Sequence, residues 1–150
     1  MMGVSTDEAM RAVRARLDSG GFSFPIYSHG NPSHQVENIP ATFGVYVFEN
    51  QGSALVAWGG GRGQNVYRNS ALAYIYVFAP FGYGYDAAAA AAEPVASHLR
   101  SYRDENISIF KSDVMPFGPG SDFSIPGLIN EVSNYQCALV EAFVQFDQIG

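Results

Sequence analysis

Basic charge is scarce in this chain. There is one lysine, Lys111, and eight basic residues stand against fourteen acidic ones, giving a net charge of −6. A dedicated nucleic-acid binder carries a basic patch or stripe, so gripping DNA or RNA is not expected, although letting DNA slide past is compatible. Cysteine is nearly absent. The single Cys137 excludes an internal disulfide and any multi-cysteine zinc site, and its place in a strongly patterned strand reads as a buried thiol rather than a nucleophile. Long apolar runs are missing as well. The N-terminus lacks the apolar segment of a signal peptide, and no stretch is long enough to span a bilayer. The chain is therefore expected in a cytosol, where the Asn106-Ile107-Ser108 sequon has no role. Charged residues of both signs reach only 15%, against about a quarter in an ordinary soluble domain.

Aromatic residues are abundant instead, with 11 Phe and 9 Tyr in a chain that is 47% hydrophobic. One domain covering residues 1–150 is the economical reading, and a chain of this size buries roughly 70% of its unfolded surface. Few charges and many aromatics fit two situations: a surface hidden against copies of the chain or a partner, or a core rich in Phe and Tyr.

The clearest structural signal runs from Ala71 to Tyr102, as a long strand, a Gly/Pro/Tyr turn and a helix. Leu72, Tyr74, Tyr76 and Phe78 point to one face of the strand; Ala71, Ala73, Ile75, Val77 and Ala79 point to the other. Neither face is polar, which predicts a central strand with both sides covered. Pro80 ends the strand, Gly82 and Gly84 allow the reversal, and Asp86 is placed to cap the alanine-rich helix. Pro94 interrupts that helix at a cost of about 3 kcal/mol. The stripe Val95, Leu99, Tyr102 continues past it, which favours one kinked helix over two pieces.

Upstream, Ser5-Thr6-Asp7-Glu8 is a capping box. Met10, Val13 and Leu17 form the apolar stripe of the helix behind it. Arg11, Arg14 and Arg16 fall mostly on its outer faces, as a solvated surface or as a contact for acidic patches on a neighbouring subunit. Gly20-Gly21 end it. Phe22 to Ala41 reads as a loop with three prolines, long enough to hint at an interaction surface. Phe43–Glu49 and Ala54–Trp58 read as two strands of a hairpin around Asn50-Gln51-Gly52. Downstream, Ile107–Phe110 and Ser112–Phe117 are short strand candidates, and Ser121 to Asn134 is irregular. Tyr135–Phe146 is a long final strand whose fully apolar face (Ala138, Val140, Ala142, Val144, Phe146) should meet the helices. The order predicts an α+β fold: a mainly antiparallel sheet with two helices packed on one face and long connecting loops.

Candidates for chemistry do not assemble. The run Gly59-Gly60-Gly61-Arg62-Gly63-Gln64 lacks the Lys-Ser/Thr ending of a phosphate loop and precedes a strand rather than a helix. His29 and His34 sit five apart on a loop without carboxylates at ligand spacing. Asp104-Glu105, Asp113 and Asp122 have no partner that spacing would bring to them, and Ser97 and His98 point apart on a helix. No catalytic, cofactor-binding or metal-binding residue is assigned, and an enzyme is not expected.

The order and flavour of these elements resemble the tail terminator proteins of long-tailed bacteriophages and phage-like gene transfer agents, of the lambda minor tail protein U type. The features that carry the likeness are the opening helix (Thr6 to Leu17), the Pro-rich loop, the hairpin from Phe43 to Trp58, and Tyr67-Arg68-Asn69-Ser70 entering the long strand. The turn through Tyr85, the alanine-rich helix and the final strand Leu139 to Phe146 complete it. Pro94 departs from the regular second helix of that family. The resemblance implies a structural virion protein assembled in the bacterial cytoplasm: a homo-oligomer, a hexameric ring that caps the tail tube and ends its polymerisation. Such a ring offers a docking surface to the head-tail connector and lets DNA pass without specific binding. On this reading Trp58, Arg62, Tyr67 and Arg68 are the candidate subunit-interface residues. A connector or head-completion protein of the same neck is the alternative. A small α+β hydrolase or ligand-binding domain, with a pocket around His29 and His34, is the alternative from a different class.

Overall fold

A computed structural model of the chain describes residues 3–28, 41–57, 61–119 and 135–150. In chain order the elements are helix α1 (Thr6–Asp18), strand β1 (Ile26–Ser28), strand β2 (Phe43–Ala57), strand β3 (Val66–Pro80), helix α2 (Ala87–Leu99), strand β4 (Ser108–Pro119) and strand β5 (Tyr135–Ile149). The strands form one sheet in the order β1-β2-β3-β5-β4. Every neighbouring pair is antiparallel except β1 with β2. The fold is α+β, with two helices on a mostly antiparallel sheet.

β3 is the middle strand, and its alternation sorts the molecule into layers. Ala71, Ala73, Ile75, Val77 and Ala79 are all buried beneath the helices, beside Ala138, Val140, Ala142 and Val144 of β5. The helices add Ala9, Val13 and Leu17 from α1 and Ala88, Ala92, Val95, Ala96 and Leu99 from α2. Small residues at the contact let helix backbone lie close to sheet backbone, while Ile75, Val95, Leu99 and Val140 fill the space between. Each of these larger side chains contributes about 1.5–3 kcal/mol by leaving water.

Several local expectations are corrected. The turn at Asn50-Gln51-Gly52 is not a hairpin turn: β2 runs through it as one strand. The turn residues are absorbed as a bulge, in which the Gly52 amide donates to Asn50 Oδ1 at 2.9 Å and Gly52 takes φ of 121°. The hairpin partner of β2 is β3, paired from Phe43↔Phe78 to Ala57↔Val66. The two short strands expected after residue 106 are one, β4, whose pairing with β5 shifts between Ile109 and Lys111 and again between Pro116 and Pro119. The loop after Phe22 contains β1, held by parallel pairing to Gly44, Val45 and Tyr46. His29, His34 and the whole of the segment 120–134 lie outside the described residues.

The helices also differ in detail. On α1, Ser5 accepts from the Glu8 amide, and its hydroxyl lies within hydrogen-bond reach of the carboxylates of Asp7 and Glu8. Ala9, not Met10, completes the buried stripe with Val13 and Leu17, since i, i+4 spacing aligns those three; Met10 is 40% exposed. Asp86 stands at the N-cap of α2 without a capping bond from its side chain. α2 continues across Pro94, which is exposed, as one helix. Arg16 is not a solvated residue of the outer face: its guanidinium donates to the His98 carbonyl at 3.0 and 2.8 Å and lies 4.2 Å over the Tyr102 ring, tying α1 to the end of α2.

Candidate functional site

The second face of the sheet carries no helix among the described residues. Strand registers give its side chains directly. Phe43, Phe78 and Cys137 form one cross-strand row, followed by Val45, Tyr76, Leu139 and Met115, then Val47, Tyr74, Glu141 and Asp113, then Glu49, Leu72, Phe143 and Lys111. Ser70 with Gln145, and Arg68 with Asp147, continue the same face toward the end of the sheet.

The character of this face changes along its length. At one end the Phe43 ring stacks on Phe78 with centroids 5.1 Å apart, and Tyr135 meets Phe43 edge-on at 5.4 Å. This end is buried, and burial pushes the Cys137 thiol well above its ordinary range, so it is an inert core thiol as expected. Toward the middle the side chains are only half-buried: Leu72, Tyr74, Tyr76 and Phe143, with Phe110 rising from the β4 bulge at 56% exposure. Phe110 and Phe143 lie 6.0 Å apart.

An acidic row crosses this apolar middle. Tyr74 lies opposite Glu141, with Glu49 diagonal to it on β2. Burial first, then the negative charges of Glu49 and Glu141, push the Tyr74 phenol up to about 12, and it hydrogen-bonds to Glu49. Asp113 lies directly across from Glu141, a like-charge pairing that costs stability. Lys111 relieves it from the next row, 3.4 Å from Asp113 and 5.3 Å over the Phe143 ring. The arrangement can accept a cation and bury apolar surface.

Three of the four expected interface residues are described, and they fall in different places. Arg62 is exposed on a turn closed by the Gln64 amide donating to the Gly61 carbonyl at 3.0 Å, with Gly61 and Gly63 both at positive φ. Arg68 is already engaged on the open face, where its guanidinium makes a two-bond pair with the Asp147 carboxylate at 2.9 and 3.1 Å, which raises the arginine pKa. Tyr67 alternates to the other face, half-buried beside the chain terminus, with Gly3, Ser5 and Gln148 around the same shallow groove. Trp58 lies outside the described residues. Of the three described, Arg68 and Tyr67 thus lie on opposite faces of β3, with Arg62 on the turn that precedes it.

No known family model matches the chain, and no curated protein matches it. Geometry has to carry the functional reading. Among the described residues no three His, Cys, Asp or Glu side chains converge as metal ligands, and no helix is long and apolar enough to cross a membrane. The residues that sequence reasoning passed over are Glu49 and Tyr74. Their signal was present in the period-two alternation, because the same parity that places Glu141 with Leu139 and Phe143 places Tyr74 with Leu72.

Proposed function

We propose that this chain is a ring-forming structural subunit of the tail-terminator type. It would cap the tail tube of a long-tailed phage or phage-like gene transfer agent, end tube polymerisation and present the docking surface for the head-tail connector. The observation that carries this reading is the half-exposed aromatic middle of the helix-free sheet face. Contiguous apolar surface of that kind marks a contact with another protein, and a subunit that works only as part of a ring has reason to keep it. The element order supports the same reading: helix, long strand pair, alanine-rich helix and long final strand. The acidic balance of the chain suits a lumen that lets DNA pass without holding it. No chemistry is required of such a subunit, so it is read as a non-enzyme without cofactor, and its location as the virion after assembly in the bacterial cytoplasm.

Light scattering and negative-stain imaging of the purified chain, alone and with tail-tube protein, test this. The expected result is a six-fold ring that binds one end of the tube. A chain that stays monomeric under both conditions, or one that turns over a small ester or peptide substrate, would sink the proposal. A ring that binds connector protein and ignores the tube would transfer the chain to the connector side of the same neck.

A further inference from the structure

The charges on this molecule are unequally committed. Arg11 pairs with Asp7, Arg14 with Asp18, Arg68 with Asp147 and Lys111 with Asp113. Arg16 is spent on the His98 carbonyl and Arg100 on the Ser112 carbonyl, at 3.2 and 2.9 Å. Arg103 is followed at once by Asp104 and Glu105. Arg62, like Arg103, has no bonded partner among the described residues; unlike Arg103 it has no acidic neighbour in sequence, and glycines stand on both sides of it at 61 and 63. On the open face the imbalance is reversed. Glu49 and Glu141 flank Tyr74 without a cation partner among the described residues, in the middle of apolar surface.

The two features cannot satisfy each other within one chain. Tyr74 and Val66 are separated by eight steps of β3, about 26 Å of extended strand, and Arg62 lies beyond Val66 on the turn that precedes it. We infer that the Arg62 turn of one copy docks on the Glu49–Tyr74–Glu141 row of the next copy. Tip and row are different surfaces, so the contact can run head to tail, and such a heterologous contact repeated with a closing rotation generates a ring. Leu72 and Phe143 on one side of Tyr74 and Glu141, with Tyr76 on the other, supply the apolar area, and the two carboxylates fix the register. The inference rests on the ring reading above and names the surface that closes the ring.

Charge reversal tests the contact, with folding monitored by circular dichroism and assembly by light scattering. Arg62→Glu makes both tip and row acidic; Glu49→Arg with Glu141→Arg makes both basic. Each protein alone is expected to lose the ring while keeping its circular dichroism spectrum and a cooperative unfolding transition. Mixed in equal amounts, they are expected to recover it as an alternating ring, because each tip now meets a row of opposite sign. A single chain carrying all three reversals is expected to assemble by itself. If either reversed protein still forms rings, or if the mixture and the triple variant stay monomeric, the contact is overturned while the ring reading stands. A wild-type chain that never forms a ring overturns both.

Discussion

The two faces of β3 share one backbone and carry similar apolar content, yet they do opposite things. The helix side is built from Ala71, Ala73, Ile75, Val77 and Ala79 and excludes water completely. The open side is built from larger chains, Leu72, Tyr74, Tyr76 and Phe78, and all but Phe78 remain half-exposed. Small side chains let helices approach and close a layer; large amphipathic ones reach past the sheet toward something else. Tyrosine suits such a surface, because its ring buries area while its hydroxyl stays bonded at the rim. The difference teaches that stability and association are divided between the faces. Substitutions on the first should be read in melting curves, and substitutions on the second in assembly.

The most damaging change expected is Ile75→Ala. It removes a fully buried side chain and should cost about 2–5 kcal/mol in urea unfolding, through lost burial and the cavity left behind. Ala92→Leu attacks the same layer from the helix. Ala92 has no exposure to give, so the extra bulk should cost about 1–3 kcal/mol by overpacking. On the open face, Leu72→Ser should cost less than either in the isolated subunit, about 1 kcal/mol or below, because the side chain is only half-buried. Near-equal costs for Ile75→Ala and Leu72→Ser would dissolve the distinction drawn between the faces.

Alkaline titration sharpens the comparison. The Tyr74 phenol has its pKa raised to about 12 in the folded chain, from an ordinary value of 10.0. A raised pKa means that the folded state holds the proton more tightly. The associated stability is therefore complete below about pH 10 and is lost as pH rises from 10 towards 12. Burial of Cys137 and Tyr46 acts in the same direction. Denaturant midpoints measured from pH 8 to 12 should fall across that window, and Tyr74→Phe should fall less steeply. The smallest effect is expected from Arg68→Ala. Its pair with Asp147 is half-exposed, so the loss should be about 1 kcal/mol or less and should shrink in high salt.

Much of the fold was legible because period-two alternation survives any tertiary arrangement. The layers of β3 and β5, the buried Cys137 and both helices follow from residue spacing. Turn signals were less reliable. Asn50-Gln51-Gly52 has the composition of a hairpin turn, but the pairing of β2 along its full length with β3 absorbs it as a bulge. Met10 and Ala9 exchanged roles for a related reason: hydrophobicity favours the methionine, whereas close approach to the sheet favours the alanine. The open-face row was legible only in part. Glu141 could be assigned to the face of Leu139 by parity, but that Tyr74 sits opposite Glu141 depends on register between strands far apart in sequence.

The sequence by itself determined the class of the fold and the two apolar faces of its central strand, since both are matters of residue type and periodicity. Only the tertiary structure decided which of those faces the helices cover, that Arg68 is consumed by Asp147 while Arg62 has no bonded partner among the described residues, and that two carboxylates flank Tyr74. Those are outcomes of strand order and register. They bring together residues that are more than sixty positions apart, as Tyr74 and Glu141 are, and no local pattern encodes such a distance.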